Sequence, residues 1–404
     1  MRDFADLAGA QVLSSVLRFG AMAWAARYLG PAGFAIVSVA GVVNGYFVAG
    51  ALSGLDMVGT RDIANSVAPA KFVATASAVR LAVSACVIVV VVPFVWIANL
   101  DTRLAGAVSI LVMTLLPLAF DGRWALVGMR QTTPIALAEV ASAAVNLLVI
   151  IAFVRTSDDL IFVPLAQLVG DLVRAAVLRR GLVQREISSA VSWTCDAKGF
   201  LLSGIPISGI QLLRSAVVTL DVVMVGAIRP KSEAGQYALA SRFFIIGLVF
   251  LGLYYQVLLP RLVLARADSR DEERRFVQAG QRRVLALALP LVAAGSVLSP
   301  LVIPAVLGHE YVTGGKLLSL LVWALGLVAL TGLYNQVLIV HKQERRMTRI
   351  VSWALVVNVL GNLILLPTIG IFGAPIAAIA SELLALTLTN RAATLAIASD
   401  VRAG

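Results

Sequence analysis

The sequence has little charge, and this shortage excludes an ordinary soluble protein. Asp, Glu, Lys and Arg make up only 14% of the 404 residues, whereas 60% are hydrophobic, and the mean hydropathy is +0.93. A soluble domain carries about 25% charged residues because its surface faces water. Since this chain has too few polar side chains to cover a globule of its size, we place it in a lipid bilayer.

Cysteine and histidine are also scarce, which removes several kinds of site. The two cysteines, Cys86 and Cys195, are too few for a disulfide framework or a metal cluster. The two histidines, His309 and His341, lie far apart and do not indicate a zinc site. The sequence therefore predicts no metal site and no cofactor.

Long apolar runs are what the sequence does contain. A membrane-crossing helix needs about 20 mostly apolar residues, and these runs lack the two-residue alternation of a β-barrel strand. We predict an all-α polytopic membrane protein with about twelve transmembrane helices. The predicted spans are 8–29, 33–55, 77–99, 104–128, 133–154, 160–181, 200–228, 237–260, 284–308, 314–340, 350–369 and 373–397.

A polar stretch separates the twelve predicted spans into two sets of six. We predict an N-terminal six-helix lobe at 1–182, a cytoplasmic linker at 183–199 and a C-terminal six-helix lobe at 200–404. In a second polar stretch, 265–283, Ser269 and Glu272 have capping-box spacing. This spacing predicts a helical extension at the membrane surface.

The positions of the basic residues predict the orientation in the membrane. With both termini in the cytoplasm, 23 of the 33 Lys and Arg residues fall in inside segments or adjoining span ends, Arg80 and Arg174 among them. Five fall in outside loops, and five within or at the ends of spans are left unassigned. Lys and Arg are enriched in the cytoplasmic loops of membrane proteins, so most of the +11 net charge reflects the membrane topology. This explanation of the charge argues against nucleic-acid binding.

An internal similarity links the two halves. The connections at 26–40 (ARYLGPAGFAIVSVA) and 225–242 (VGAIRPKSEAGQYALASR) each contain Gly, Pro and then Ala-Gly, with Ala-Gly offset by 202 residues. Two similar six-helix halves around a central cavity are a frequent transporter plan, with the substrate site between them near the bilayer midplane. We therefore expect pseudo-symmetric lobes.

These segments resemble a known family. ARYLGPAGFA, the segment DVVMVGAIRPKSEAGQYALASR at 221–242 and LSPLVIPAVLGHEYVTGGKLLSLLVWAL at 298–325 resemble polysaccharide-export flippases of the multidrug, oligosaccharidyl-lipid and polysaccharide exporter superfamily. The resemblance implies that the protein is a bacterial inner-membrane flippase that moves a lipid-linked oligosaccharide outward by alternating access. Its partners would be a polyprenyl-diphosphate-linked sugar, membrane lipids and other polysaccharide-assembly proteins. The short loops and the missing extra helix pair disfavour the peptidoglycan-precursor branch.

Buried arginines are the predicted phosphate ligands. Arg18 and Arg214 lie near the middle of spans 1 and 7, the first span of each half, and an arginine fork suits phosphate oxygens. Each alternatively neutralises a nearby carboxylate or caps a carbonyl. Intramembrane amides either contact the sugars or hydrogen-bond between helices. We select Asn44, Asn335 and Gln336, together with Tyr334, as substrate-binding candidates.

Other intramembrane charges suggest ion pairs or ion coupling. Asp221 and Arg242 lie at similar depth on spans 7 and 8, so we expect an ion pair there, or uptake of a proton or Na⁺ by Asp221. The Asp171–Arg174 spacing favours a local pair. Glu139 and Glu382 have no partner nearby in sequence and are the ion-coupling candidates.

Two other functions compete with flipping. An ion-coupled drug or metabolite antiporter of the same superfamily is the first, although cationic drugs favour carboxylates rather than central arginines. A membrane sugar polymerase or ligase is the second. Such an enzyme needs sizeable external loops, and every predicted outside connection is short, so we do not expect an enzyme.

Overall fold

A computed structural model describes residues 2–63, 66, 68–184, 187 and 196–399. Throughout these ranges the chain is built from helices, without a β-strand, which confirms the all-α class. Most of the predicted linker at 183–199, including Cys195, lies outside the described residues.

The chain divides into two compact units, Met1–Val223 and Met224–Gly404. The α-helices of the first are α1 (Arg2–Val48), α2 (Gly54–Ile63), α3 (Pro69–Ile97), α4 (Thr102–Met113), α5 (Leu115–Phe120), α6 (Arg123–Gly128), α7 (Thr132–Phe153), α8 (Phe162–Val183) and α9 (Ala197–Ile228), which ends just beyond the boundary. Those of the second are α10 (Lys231–Asp268), α11 (Arg270–Leu307), α12 (Val312–Val340), α13 (Glu344–Ile369) and α14 (Gly373–Ser399). Four short segments complete the list: a π-helix at Ala49–Ser53 and 3₁₀ turns at Asp159–Ile161, His309–Tyr311 and Gly370–Phe372.

Ten helical stretches of the described chain are long and apolar enough to cross a membrane. Two of them, Gly9–Ile63 and Glu344–Ala398, contain 55 residues each, about 80 Å of helix at 1.5 Å per residue. A bilayer core is only about 30 Å thick, so each contains two spans. The first stretch breaks at Gly30 and the second at the 3₁₀ turn. The ten stretches thus supply the twelve predicted spans.

The two similar connections turn by different means. In the first, Gly30 has φ 64° and ψ 176° and is followed by Pro31, whose ring begins the next helix. In the second, Pro230 is the N-cap of α10, while Gly226 lies inside α9. The shared Gly and Pro therefore mark the same place in each half without making the same turn.

Each unit has its own packing. In the first, α1 packs on α7 and α4, and α7 packs on α8; small residues such as Ala21, Ala25 and Ala40 are buried there and let helices approach closely in lipid. In the second, α12 lies among α10, α11 and α14, and α13 packs on α14.

The predicted helical extension is confirmed. Helix α10 continues to Asp268 and α11 starts at Arg270. Ser269 Oγ accepts a hydrogen bond from the Glu272 backbone N–H at 3.1 Å and so caps α11.

Candidate functional site

A cluster of charged side chains lies inside the first unit, contributed by helices far apart in sequence. Four arginines and four carboxylates take part, and every member forms an ion pair with another. They are Arg18, Asp56, Arg80, Asp121, Arg123, Glu139, Asp171 and Arg174. Charges inside membrane spans are costly and mark functional or architectural sites, so this cluster is the candidate site of the unit.

Arg80 is the most enclosed of these charges. Its side chain is 2% exposed, and it pairs with Asp56 of α2 and, at 3.7 Å from Nη2 to Oδ1, with Asp121. Its Nε donates to the Ala119 carbonyl at 3.1 Å, and Nη2 donates to the Leu118 carbonyl. Those carbonyls belong to the last turn of α5, where no intrahelical N–H is available, so Arg80 satisfies a helix end as well as two carboxylates.

The break after α5 comes from two adjacent residues. Gly122 has φ 64°, in the left-handed region that favours glycine. Asp121 Oδ1 accepts the Arg123 backbone N–H at 3.1 Å, at the first turn of α6. The other oxygen of Asp121 lies 3.5 Å from Arg174 Nη2.

Arg174 also contacts Asp171 on its own helix. The predicted local pair is confirmed, with 3.6 Å between Arg174 Nη1 and Asp171 Oδ1. Gln167 donates to the second oxygen of Asp171 at 3.0 Å. Both aspartate side chains of this part of the cluster, Asp121 and Asp171, are almost fully buried.

Glu139 joins two arginines on the more open side of the cluster. Its Oε2 lies 2.5 Å from Arg18 Nη2 and its Oε1 lies 3.5 Å from Arg123 Nε. The Glu139 side chain is 11% exposed, whereas Arg18 and Arg123 are 47% and 51% exposed. Both guanidinium groups therefore keep donors free of Glu139, and a planar fork with free donors can bind an anion.

A cavity of about 420 Å³ opens beside this cluster. Three arginines and two aspartates line it, which gives a formal charge of +1 when all are ionised. Its remaining walls are mostly apolar. The lining residues are Val48, Leu52, Asp56, Met57, Thr60, Arg80, Leu118, Asp121, Arg123, Trp124, Val127 and Arg174.

The other predicted residues of the first unit are spread along its helices. Asn44 Nδ2 donates to Thr114 Oγ1 at 3.2 Å and so connects α1 to the end of α4. Arg214 lies exposed on α9, and Asp221 lies half-buried on the same helix. The pairing predicted for Asp221 and Arg242 joins residues of the two different units and stays a prediction.

In the second unit, the predicted polar residues have different surroundings. Tyr334 is 6% exposed and packs in an apolar cluster with Leu262 and Val337. Asn335 and Gln336 are half-buried beside it. Glu382 is half-buried on α14 and makes no ion pair or hydrogen bond with the described residues.

A buried pair in the second unit was not expected from the sequence. His341 Nε2 lies 2.8 Å from Glu273 Oε1, and both side chains are at most 4% exposed. The pair links the first turn of α11 to the end of α12. Among the described residues there is no group of three His, Cys, Asp or Glu side chains placed to hold a metal ion.

Sequence reasoning missed the centre of the charged cluster. Their sequence positions group Arg80 and Arg174 with the topology-determining charges near span ends, yet helices enclose both side chains. A usable signal existed for Arg80, because it stands inside the apolar run predicted as span 3. Its partners Asp56 and Asp121 come from other spans, and no local spacing reveals such long-range pairs.

The fold is that of multi-pass transporters. A multidrug-resistance MATE transporter of the MOP superfamily, in an inward-facing conformation, matches with a TM-score of 0.77 at 14% identity over 95% of both chains. The lipid II flippase MurJ in an inward closed conformation matches with a TM-score of 0.75 at 10% identity, over 96% of this chain and 87% of MurJ. A MOP-superfamily transporter from Pyrococcus furiosus, described by the reverse polarity of its binding pocket, gives 0.61 at 15% identity, over 97% and 94%.

The amino-acid sequence identifies a protein family within this fold. The model of the polysaccharide biosynthesis protein family matches residues 1–266. The chain therefore belongs to the polysaccharide biosynthesis protein family. No curated protein matches its sequence.

Proposed function

We propose that this protein flips a lipid-linked oligosaccharide or polysaccharide repeat unit across the bacterial cytoplasmic membrane by alternating access. Family membership is the observation that carries the proposal. A chain composed almost entirely of membrane helices is suited to moving a lipid-linked intermediate, and a lipid II flippase shares the fold. In this proposal the substrate crosses without covalent change, so the protein is not an enzyme, and both termini lie in the cytoplasm.

The charged cluster of the first unit supports an anionic substrate. A polyprenyl diphosphate carries negative charge, and Arg18 and Arg123 each present a guanidinium group that is about half exposed. Glu139 lies between them, and ion pairing to one carboxylate holds two long side chains in place. We assign Arg18 and Arg123 as diphosphate ligands and Glu139 as the residue that positions them. The remaining predicted contacts stay proposals for the same substrate; they are Asn44, Arg214, Tyr334, Asn335 and Gln336.

Gene deletion followed by lipid analysis tests the proposal. Deletion should trap the lipid-linked oligosaccharide on the cytoplasmic leaflet, and the intact gene should restore surface glycan. The R18Q/R123Q variant should fail to restore glycan although it reaches the membrane in normal amount. The matched control is R103Q, because Arg103 is also about half exposed and paired to a carboxylate, at 2.9 Å from Asp158 in a predicted outside connection; it should restore glycan fully.

An antiporter is the second candidate function. The similarity to a multidrug-resistance transporter over 95% of both chains favours it. Unchanged surface glycan together with increased drug sensitivity after deletion would contradict the flippase and support the antiporter.

A further inference from the structure

One face of α13 carries an exposed pair of arginines beside a tryptophan. Arg345, Arg349 and Trp353 are spaced four residues apart, so they lie on the same side of the helix. Together with Thr348, Ser352 and Val356 they line a shallow concavity of about 430 Å³. Neither arginine forms a hydrogen bond or ion pair with any described residue. The hydroxyls of Thr348 and Ser352 donate to carbonyls of their own helix, at 3.0 Å each, so the arginines are the charged donors of this face.

The same face continues into an apolar stripe that other helices leave uncovered. Trp353 is 57% exposed, and Val356, Leu360 and Leu363 follow it with exposed fractions of 43%, 52% and 51%. At 1.5 Å per residue, about 27 Å separate Arg345 from Leu363. Along this distance the side chains change from cationic to aromatic to aliphatic, which is the order from the head group of a lipid to its acyl chains.

We propose that this face of α13 binds an anionic phospholipid, with Arg345 and Arg349 on its phosphate and head group and the apolar stripe along its acyl chains. The positive charge of the two arginines favours an anionic ligand. The arginines are continuous with the uncovered apolar stripe, and this favours a lipid over a soluble anion. Trp353 lies between the two arginines and the apolar stripe. It fixes the depth of this face in the membrane, because indole rings prefer the membrane–water interface. The proposal is independent of what the protein transports.

The chain contains a matched control for this site. Arg270 and Arg274 have the same four-residue spacing, are also exposed, and also lie in the first turns of a helix, α11. They stand among the carboxylates of Asp268, Asp271 and Glu272, which repel an anionic head group. Removing this pair subtracts the same charge from the second unit without touching the face of α13.

Lipid titration of the purified full-length protein in neutral detergent tests the site. Native mass spectrometry with phosphatidylglycerol and phosphatidylcholine gives the preference for the anionic lipid. We expect R345Q/R349Q to bind phosphatidylglycerol about tenfold to thirtyfold more weakly, because each basic residue near an anionic surface adds to the attraction. R270Q/R274Q should bind like the unmodified protein, and R345K/R349K, which keeps both charges, should retain the preference. Equal phosphatidylglycerol binding by R345Q/R349Q and the unmodified protein, or equal binding of the two lipids by the unmodified protein, would overturn the proposal.

Discussion

Arg80 is the largest of the fully buried side chains in the described chain. It brings a full positive charge into a helix bundle, where it contacts carboxylates from α2 and from the end of α5 and donates to two free carbonyls. An ion enclosed in protein loses its hydration, so its partners must replace the water completely. Removing the arginine leaves the Leu118 and Ala119 carbonyls without this donor, and buried Asp121 then keeps Arg174 as its remaining arginine partner.

We therefore expect Arg80→Met to destabilise the protein by about 3–5 kcal/mol, the usual cost of breaking a buried pair from one side. The control is Arg61→Met, because Arg61 is 66% exposed and, among the described residues, pairs with the adjacent Asp62 alone. It should change stability by less than about 1 kcal/mol. Thermal unfolding of the purified proteins in detergent measures both. Unfolding of Arg80→Met at the unmodified protein's temperature would show that the pairs contribute nothing.

The sequence makes Glu139 and Glu382 equivalent candidates for ion coupling, but their surroundings differ. Glu139 neutralises two arginines, whereas Glu382 makes no ion pair with any described residue. We propose Glu382 as the carboxylate that takes up a proton or Na⁺ during export. In reconstituted vesicles, Glu382→Gln should make flipping insensitive to an imposed proton or Na⁺ gradient. Glu139→Gln should slow flipping yet keep the gradient dependence, because it disturbs arginine placement alone. Gradient dependence retained in Glu382→Gln would remove Glu382 from coupling.

At the level of secondary structure, the predicted fourth span departs most from its expected form. The sequence predicts one span at 104–128, and the chain forms α4, α5 and α6 there. The break at Gly122 frees the carbonyls that Arg80 binds, so an irregular helix and a buried charge occur together. Broken membrane helices are tolerated where protein groups satisfy the released backbone.

Gly122→Ala tests this dependence on the break. A left-handed backbone costs a side-chain-bearing residue about 1–2 kcal/mol, and an added Cβ would lie 2.4 Å from Leu182 Cδ1. We expect a clear fall in the unfolding temperature. Gly209→Ala in α9 is the control, since nothing lies within 4 Å of a Cβ at that position. The double variant Gly122→Ala/Leu182→Ala should not regain full stability, because the backbone strain remains. An unfolding temperature for Gly122→Ala equal to that of Gly209→Ala would show that the left-handed conformation is not required.

Elements were predictable where the information is local. The number of membrane spans, the cap at Ser269 and the Asp171–Arg174 pair all follow from hydropathy or from spacing over a few residues. The partners of Arg80 and Glu139 were not predictable in the same way. These partners are determined by which helices pack together, and the sequence of one span does not show which charges on other spans will lie beside it. Gly122 likewise resembles any glycine in an apolar run until its neighbours are known.

At the scale of the whole molecule, the charge asymmetry and the even number of predicted spans predict one orientation in the membrane. If both termini lie in the cytoplasm, the connection between α7 and α8 lies outside and the connection between α10 and α11 lies inside. The side of the membrane on which each connection lies therefore tests the orientation of the two units independently.

Cysteine labelling of intact cells checks this orientation. With Cys86 and Cys195 replaced by Ala, Ser157→Cys should react with a membrane-impermeant maleimide from outside. Asp268→Cys should react only after the cells are made permeable. The cysteine-free protein is the control for background labelling. Three predicted spans lie between the two positions, so reaction of both from outside would contradict that odd number, and the reversed pattern would place the termini outside.

The contacts of Arg80 also bear on how the protein is made. A ribosome delivers Asp56 to the membrane before Arg80, but Asp121 and Arg174 only afterwards. A lone arginine costs roughly 2.5–3.5 kcal/mol at the centre of an inserting helix and less toward its end. Arg80 is the fourth residue of the predicted span 77–99, so the third span enters the bilayer at some disadvantage unless a counter-charge is already present. Asp56 is the one of its two carboxylate partners that is available at that moment. We therefore expect Asp56 to be the counter-charge of Arg80 during insertion, before Asp121 also pairs with it in the folded chain.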